Sequence, residues 1–222
     1  MHKFKILCFA ICAIFFSKYT WCEPPNLARL LKSVQEYHDS GAYNKELTTT
    51  IANAHKFILQ RITNNLHQPH PQKLAIVLDI DETSLSSYAN IVKHNFMKPT
   101  KEELHHDIVV ANDPAIQPTL DLYKDAQKHQ VAVFFVTGRR EFERAPTIKN
   151  LLKAGYKGWA QLYLKPDQYQ DPSNVPFKSN IRKQITEQGY TVIASIGDQY
   201  SDLSGGYAER GFKLPNPYYY LP

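Results

Sequence analysis

The sequence predicts an α/β protein built on a three-layer, doubly wound parallel sheet, with a helical N-terminal addition and a small cap-like insertion after the first strand. Three observations carry this. Leu74–Leu78, Val131–Val136 and Thr191–Ile196 are short, mostly apolar runs without polar alternation, the pattern of strands covered on both faces by helices. Helical stretches separate them, at about 115–129, 143–154 and 178–188, as the crossovers of parallel strands require. Two of these stretches end in a Gly-Tyr pair that leads into a strand, Gly155-Tyr156 and Gly189-Tyr190. Glycine just past a helix end closes the helix by taking the left-handed conformation.

The elements follow in order. Lys3 and Lys5 precede the apolar run Ile6 to Phe16. Eleven residues are too few to span a bilayer, which takes about 20, but they match the hydrophobic core of a secretory signal. Residues 1–22 are read as that signal, with cleavage after Ser17 or Cys22, and residues 23–222 as one domain. No convincing lipobox precedes Cys12 or Cys22. Residues 26–66 lack proline and read as two helices broken at Gly41. Asn26 caps the first, whose apolar face is Leu27, Leu30, Leu31, Val34 and Tyr37; the second shows Leu47, Ile51, Ala54, Ile58 and Ile62 at the helical period. The helical N-terminal part thus spans 23–70, and a Pro/His linker at His67–Gln72 ends it. Trp159–Leu164 is a fourth, weaker strand. Residues 84–114 show no clear periodicity; so long a connection marks a functional loop, a cap or substrate lip.

Composition sets the outer bounds. In 222 residues, 43% are hydrophobic and 21% charged, which excludes a disordered chain. The three cysteines fall at 8, 12 and 22, so residues beyond the signal hold no disulfide framework, Cys-based zinc site or thiol nucleophile. The net charge of +5 reflects 26 basic against 21 acidic residues. Three of the basic ones, Lys3, Lys5 and Lys18, precede Glu23, and removing them leaves 23 against 21. The body is nearly neutral, without nucleic-acid or membrane-surface motifs, and no stable membrane insertion is expected once the signal is gone.

In an open parallel sheet ligands bind beyond the carboxyl ends of the strands. Three such ends carry polar residues: Asp79-Ile-Asp81-Glu-Thr83, Thr137-Gly138-Arg139 and Gly197-Asp198-Gln-Tyr-Ser-Asp202; Lys178 opens a predicted helix between the last two. Asp79, Asp81 and Asp198 repel one another unless a cation sits among them. Oxygen-only donors favour a hard ion, above all Mg²⁺, which completes its shell with water and phosphate. Lys178, the Thr137 hydroxyl and amides near Gly138 would stabilise the remaining phosphate oxygens. One carboxylate at a strand end can attack phosphorus, and a second, two residues on, can move protons. Taken singly each motif is weak: D-x-D-x-T can be a turn, G-D-x-x-x-D a helix cap, and Lys178 a solvated lysine. An EF-hand fails because its sixth position would be Ser84. Their order, each at a predicted strand end or helix start, is what points to one site.

The stretches Leu78–Thr83, Phe135–Arg140, Phe177–Ser179 with Arg182, and Ile196–Leu203 resemble the haloacid dehalogenase-like (HAD) superfamily, in particular its secreted acid phosphatases of class B and plant vegetative storage protein type. The ending Phe212–Pro217 followed by Tyr218–Tyr220 is similar to the plant-type members. The resemblance runs from about residue 74 to the end. It implies a Rossmann-like HAD fold and a Mg²⁺-dependent acid phosphatase that hydrolyses phosphate monoesters, a nucleotide among the options, through an aspartyl-phosphate. It further implies Asp79 as nucleophile and metal ligand, Asp81 as general acid/base with its carbonyl on the metal, Thr137 on the phosphoryl group and Lys178 neutralising it. Asp198 would ligate the metal, and Asp202 would do so directly, through water, or by holding Lys178. Thr83, Gly138, Arg139 and Tyr88 are the substrate-binding candidates. Some plant storage members lack the nucleophile; this chain keeps Asp79. A non-catalytic storage protein, a phosphotransferase and a homodimer remain the alternatives, and export to the periplasm or outside is the expected location.

Tyr88, Phe96 and Trp159 could stack a nucleobase or aryl group, although packing explains each singly. His67, His70, His105 and His106 read as solvated loop residues, and Tyr218–Tyr220 as a docked tail.

Overall fold

A computed structural model describes residues 23–221; the expected signal, with all three cysteines, lies outside them. Helices α1 (Leu27–Asp39) and α2 (Ala42–Leu66) lead into strand β1 (Lys73–Leu78). There follow α3 (Tyr88–Lys93), α4 (Lys101–Val110), α5 (Gln117–Lys128) and β2 (Ala132–Arg140). The chain ends with α6 (Arg144–Ala154), β3 (Gln161–Lys165), α7 (Val175–Glu187), β4 (Tyr190–Gly197) and β5 (Arg210–Lys213). The strands form one parallel sheet in the order β3-β2-β1-β4-β5.

The apolar runs become strands because alternate residues serve different layers. Leu74, Ile76 and Leu78 of β1 pack with α2 and α5, whereas Ala75 and Val77 pack with Phe177, Ile181 and Ile185 of α7. In β2, Val133 and Phe135 face the first core, and Phe134 and Val136 the second. Three layers result, with β1 at the centre of the sheet between β2 and β4. Gly155 (φ 100°) and Gly189 (φ 88°) end α6 and the α7 region in the left-handed conformation, as the Gly-Tyr pairs predict.

The helical addition divides in two. The expected stripe of α2, Leu47, Ile51, Ala54, Ile58 and Ile62, is buried throughout. At roughly 1.5–3 kcal/mol for each large aliphatic side chain, it anchors α2 on the core. The expected face of α1 is not a buried one: no residue of α1 is buried, and Leu27 and Leu30 are 61% and 45% exposed. Only Val34 and Tyr37 reach the core, because α1 packs on α2, which already covers the sheet.

Three further features go beyond what the sequence showed. Residues 84–114, without a clear period in the sequence, hold α3 and α4, the latter opened by a capping box between Thr100 and Glu103. Strand β2 runs past Val136 through Thr137-Gly138-Arg139, since β3 pairs with it to Arg140, with a register shift after Thr137. Strand β5 was not expected; as an edge strand that buries only Phe212, it carries no apolar run to read. Among the described residues no helix is long and apolar enough to cross a membrane.

Candidate active site

Neighbouring strands β1 and β4 deliver Asp79 and Asp198 to one place. The Asp79 amide donates to the Ile196 carbonyl at 3.0 Å, which locks the two strand ends in register. Asp202 ends a 3-10 turn after β4, and its Oδ2 accepts the Gln199 amide at 2.8 Å. One carboxylate oxygen from each of Asp79, Asp198 and Asp202 lies within 4.8 Å of the other two, and all three residues are buried.

The first turns of α7 bring Lys178 among them. It is 4% exposed, and its ammonium donates to Asp79 Oδ1 at 2.7 Å and to Asp202 Oδ1. Burial alone would lower the Lys178 pKa, but Asp202 and Asp79 outweigh it and hold the lysine charged. Burial pushes the Asp79 carboxyl well up; Lys178 pulls it back, and Asp202, Asp198 and Asp81 push it up again. Asp198 is raised by burial and by Asp202. Three carboxylates thus face one ammonium, and the excess negative charge is what a bound cation would neutralise. The donors are all oxygen, with no His or Cys among them, which suits a hard divalent ion.

Asp81 is held differently. Its side chain is 33% exposed and takes a fork of bonds from Arg139 Nε and Nη2, the shortest 2.7 Å. Thr137 is buried, and its Oγ1 accepts the Arg139 amide at 3.1 Å, which leaves the hydroxyl proton to donate elsewhere. Gly138 lies half-buried beside it.

Several expected substrate contacts have other partners. Thr83 is fully buried and donates to Asp198 Oδ1 at 3.2 Å, so it orients a carboxylate. The Arg139 guanidinium grips Asp81 and touches Thr147. The Tyr88 ring stacks on His38 with planes 13° apart and packs beside Phe96 and Tyr218. Trp159 packs edge-on against Phe135 in the core. Of the options for Asp202, the described contact is the one with Lys178. The Tyr218–Tyr220 run docks as a tail, with Tyr218 buried and Tyr220 exposed. His105 and His106 lie on α4 and not in a loop.

Other residues were not singled out for these roles. Gln199 Nε2 and Asn216 Nδ2 donate to Asp198 Oδ2 at 2.7 and 2.6 Å. Arg182, fully buried, binds the carbonyls of Asp202, Ser204 and Gly206 and so shapes the turn that carries Asp202. Arg182 was legible as the residue one helical turn after Lys178. Asn216 lies 18 residues beyond Asp198, a separation that leaves no local signal.

Asp113 closes the network from the cap side. It lies 3.6 Å from Arg139 and accepts from Asn90 at 3.0 Å. Burial and the charge of Asp81 push its pKa up to about 6, against the pull of Arg139. Between the unfolded value of 3.8 and about 6 the folded state binds the extra proton. This contribution is complete below the unfolded value and is lost as pH rises through the folded one. The expected result is a higher melting temperature at about pH 4.5 than at about pH 7.5, with the gap narrowed in Asp113→Asn. An unchanged gap would remove Asp113 from the pH response.

Comparison with known proteins follows this geometry. The family model described as HAD superfamily, subfamily IIIB (acid phosphatase) matches residues 24–222. The chain is 35% identical over 148 residues to "Acid phosphatase 1" of Solanum lycopersicum, covering 65% of this chain and 58% of the relative. It is 38% identical over 157 residues to the "Stem 28 kDa glycoprotein" of Glycine max, covering 68% and 61%. Similarity extends to "Vegetative storage protein 2" of Arabidopsis thaliana, 31% identical over 149 residues, covering 66% and 56%. The chain therefore spans about three-fifths of the length of the curated relatives it matches. Among solved structures, the class C acid phosphatase from Bacillus anthracis superposes with a TM-score of 0.65 at 22% identity, covering 86% of this chain and 85% of that one; at that identity the match establishes the shared fold.

Proposed function

Because this chain belongs to the HAD superfamily, subfamily IIIB (acid phosphatase), we propose that it hydrolyses small phosphate monoesters with Mg²⁺ through an aspartyl-phosphate on Asp79. The observation that carries the reading is the convergence of Asp79, Asp198 and Asp202 on Lys178 at the carboxyl ends of β1 and β4. In this reading Asp79, Asp198 and Asp202, with the Asp81 carbonyl, hold Mg²⁺. Bound there, Mg²⁺ would neutralise phosphate charge that the Lys178 ammonium alone cannot match.

The chain's own residues supply the rest. Asp79 Oδ1 is taken by Lys178, and Oδ2 has no donor among the described residues, so Oδ2 is the nucleophile. It forms a bond to phosphorus as the P–O ester bond breaks, and the leaving oxygen takes a proton from Asp81. Asp81 then accepts a proton from water, whose oxygen attacks phosphorus and releases inorganic phosphate with Asp79 restored. Lys178 and the Thr137 hydroxyl balance charge on the phosphoryl oxygens. Arg139 orients the partly exposed Asp81 side chain, which gives its proton as the carboxylic acid in the first step and takes one back as the carboxylate in the second. Export is part of the proposal and rests on Lys3, Lys5 and the run Ile6–Phe16.

The test is turnover of p-nitrophenyl phosphate with EDTA and after Mg²⁺ is added back. The expected result is loss of nearly all activity and its return with Mg²⁺; full activity in EDTA would overturn the metal requirement. A second reading, a storage protein without turnover, draws on the similarity to a vegetative storage protein. Inactivity across a broad panel of phosphate esters would favour it. Product analysis with an added alcohol separates hydrolysis from phosphotransfer.

A further inference from the structure

The carboxyl edge of the sheet holds two cations that the chemistry above does not use. Register places Leu164 beside Thr137 and Lys165 beside Arg140, so the end of β3 adjoins the Thr137–Gly138 cradle. Lys165 Nζ donates to Asn174 Oδ1 at 2.7 Å and lies 5.7 Å from the Tyr169 ring centre. Arg140 Nη1 is held by the carbonyls of Pro166 and Tyr169, at 2.8 and 3.0 Å. Neither cation has a carboxylate within ion-pair distance among the described residues, unlike Lys178 with its two and Arg139 with Asp81.

The nearby acids are engaged elsewhere. Asp167 Oδ1 accepts the Phe142 amide, Asp171 Oδ1 the Ser173 amide, and Glu143 Oε2 the Arg140 amide. Burial, Arg140 and Lys178 all lower the Lys165 pKa, which is how a half-buried cation without a counter-charge behaves. Asn174 joins this corner to the site. It is 5% exposed, its carbonyl accepts the Lys178 amide at 2.9 Å, and its Nδ2 lies 3.3 Å from where a Cβ on Gly138 would stand. Among the described residues that Nδ2 has no acceptor.

We propose that Lys165, with Arg140 and Asn174, forms a second anion subsite beside the phosphoryl cradle, which selects phosphomonoesters whose leaving group carries its own acidic group, a phosphate or a carboxylate. The subsite rests on the phosphatase reading above. A half-buried ammonium on a neutral amide gains a charge-assisted bond when such a group arrives, and a neutral leaving group offers it nothing.

The experiment measures kcat and KM of the full chain for p-nitrophenyl phosphate, a sugar bisphosphate and a phosphoglycerate. It compares wild type, Lys165→Met and Lys165→Arg, with melting temperatures as a check on folding. In Lys165→Met, kcat/KM for one or both acid-bearing esters is expected to fall about tenfold, the size of one charge-assisted bond, mostly through KM. The value for p-nitrophenyl phosphate should stay within about twofold, and Lys165→Arg should restore most of the loss. Which ester responds tells a phosphate from a carboxylate. Equal loss on all three esters, or no loss on any, would overturn the subsite alone. Failure of wild type to turn over any ester would overturn the phosphatase reading and the subsite with it.

Discussion

Asp79→Asn is expected to lower turnover of p-nitrophenyl phosphate by at least about a thousandfold, or about 4 kcal/mol of barrier, while the protein stays folded. The amide keeps the volume of the side chain and an oxygen to accept from Lys178, now at 2.7 Å on Oδ1. What it loses is the charge that makes the other oxygen a nucleophile. The fold should tolerate the loss, since burial and three neighbouring carboxylates already raise the Asp79 carboxyl. Removing a charge the interior disfavours costs little here, because Lys178 keeps Asp202 as its counter-charge. Steady-state kinetics and a thermal melt on one preparation check both halves. Activity within tenfold of wild type, in a folded variant, would sink the aspartyl-phosphate mechanism.

Lys178→Met is expected to lower both activity and stability. Lys178 is the cation that contacts Asp79 and Asp202 directly, all three buried. Methionine fills much of the same space but leaves two buried carboxylates without their partner. Breaking a buried pair from one side costs about 3–5 kcal/mol. Loss of one preorganised charge on a transferring phosphoryl group costs about 10²–10³-fold in kcat. Urea unfolding and kcat measurements read the two effects separately. High Mg²⁺ should recover part of the stability, because it restores positive charge among the same carboxylates. A variant as stable as wild type without metal would show that the acids do not depend on Lys178.

Much of the sheet was legible because β1, β2 and β4 are covered on both faces. A strand that buries every side chain must be apolar throughout, and Leu74–Leu78 and Val131–Val136 are. Legibility faded with coverage. Strand β3 alternates buried and half-exposed residues, and β5 buries Phe212 alone. The capping box at Thr100 and Glu103 was a readable sign of α4, hidden by a segment too short to show a period. For α1 the pattern misled: an amphipathic helix shows which face could be buried, and here α2 had already occupied the sheet.

By itself the sequence determined where the chemistry-bearing residues sit along the chain. Asp79, Thr137 and Asp198 follow or end apolar runs, and Lys178 lies in the opening turns of a helix; in a parallel sheet that grammar sends them to one edge, because every strand points the same way. Tertiary structure alone decided what each side chain does at that edge. Arg139 reaches across 58 residues to Asp81, Thr83 across 115 to Asp198, and Asn216 back across 18 to the same carboxylate. Such pairings depend on side-chain direction and on which buried charge most needs a partner. Those are set by packing between elements distant in the chain, and no local pattern records them.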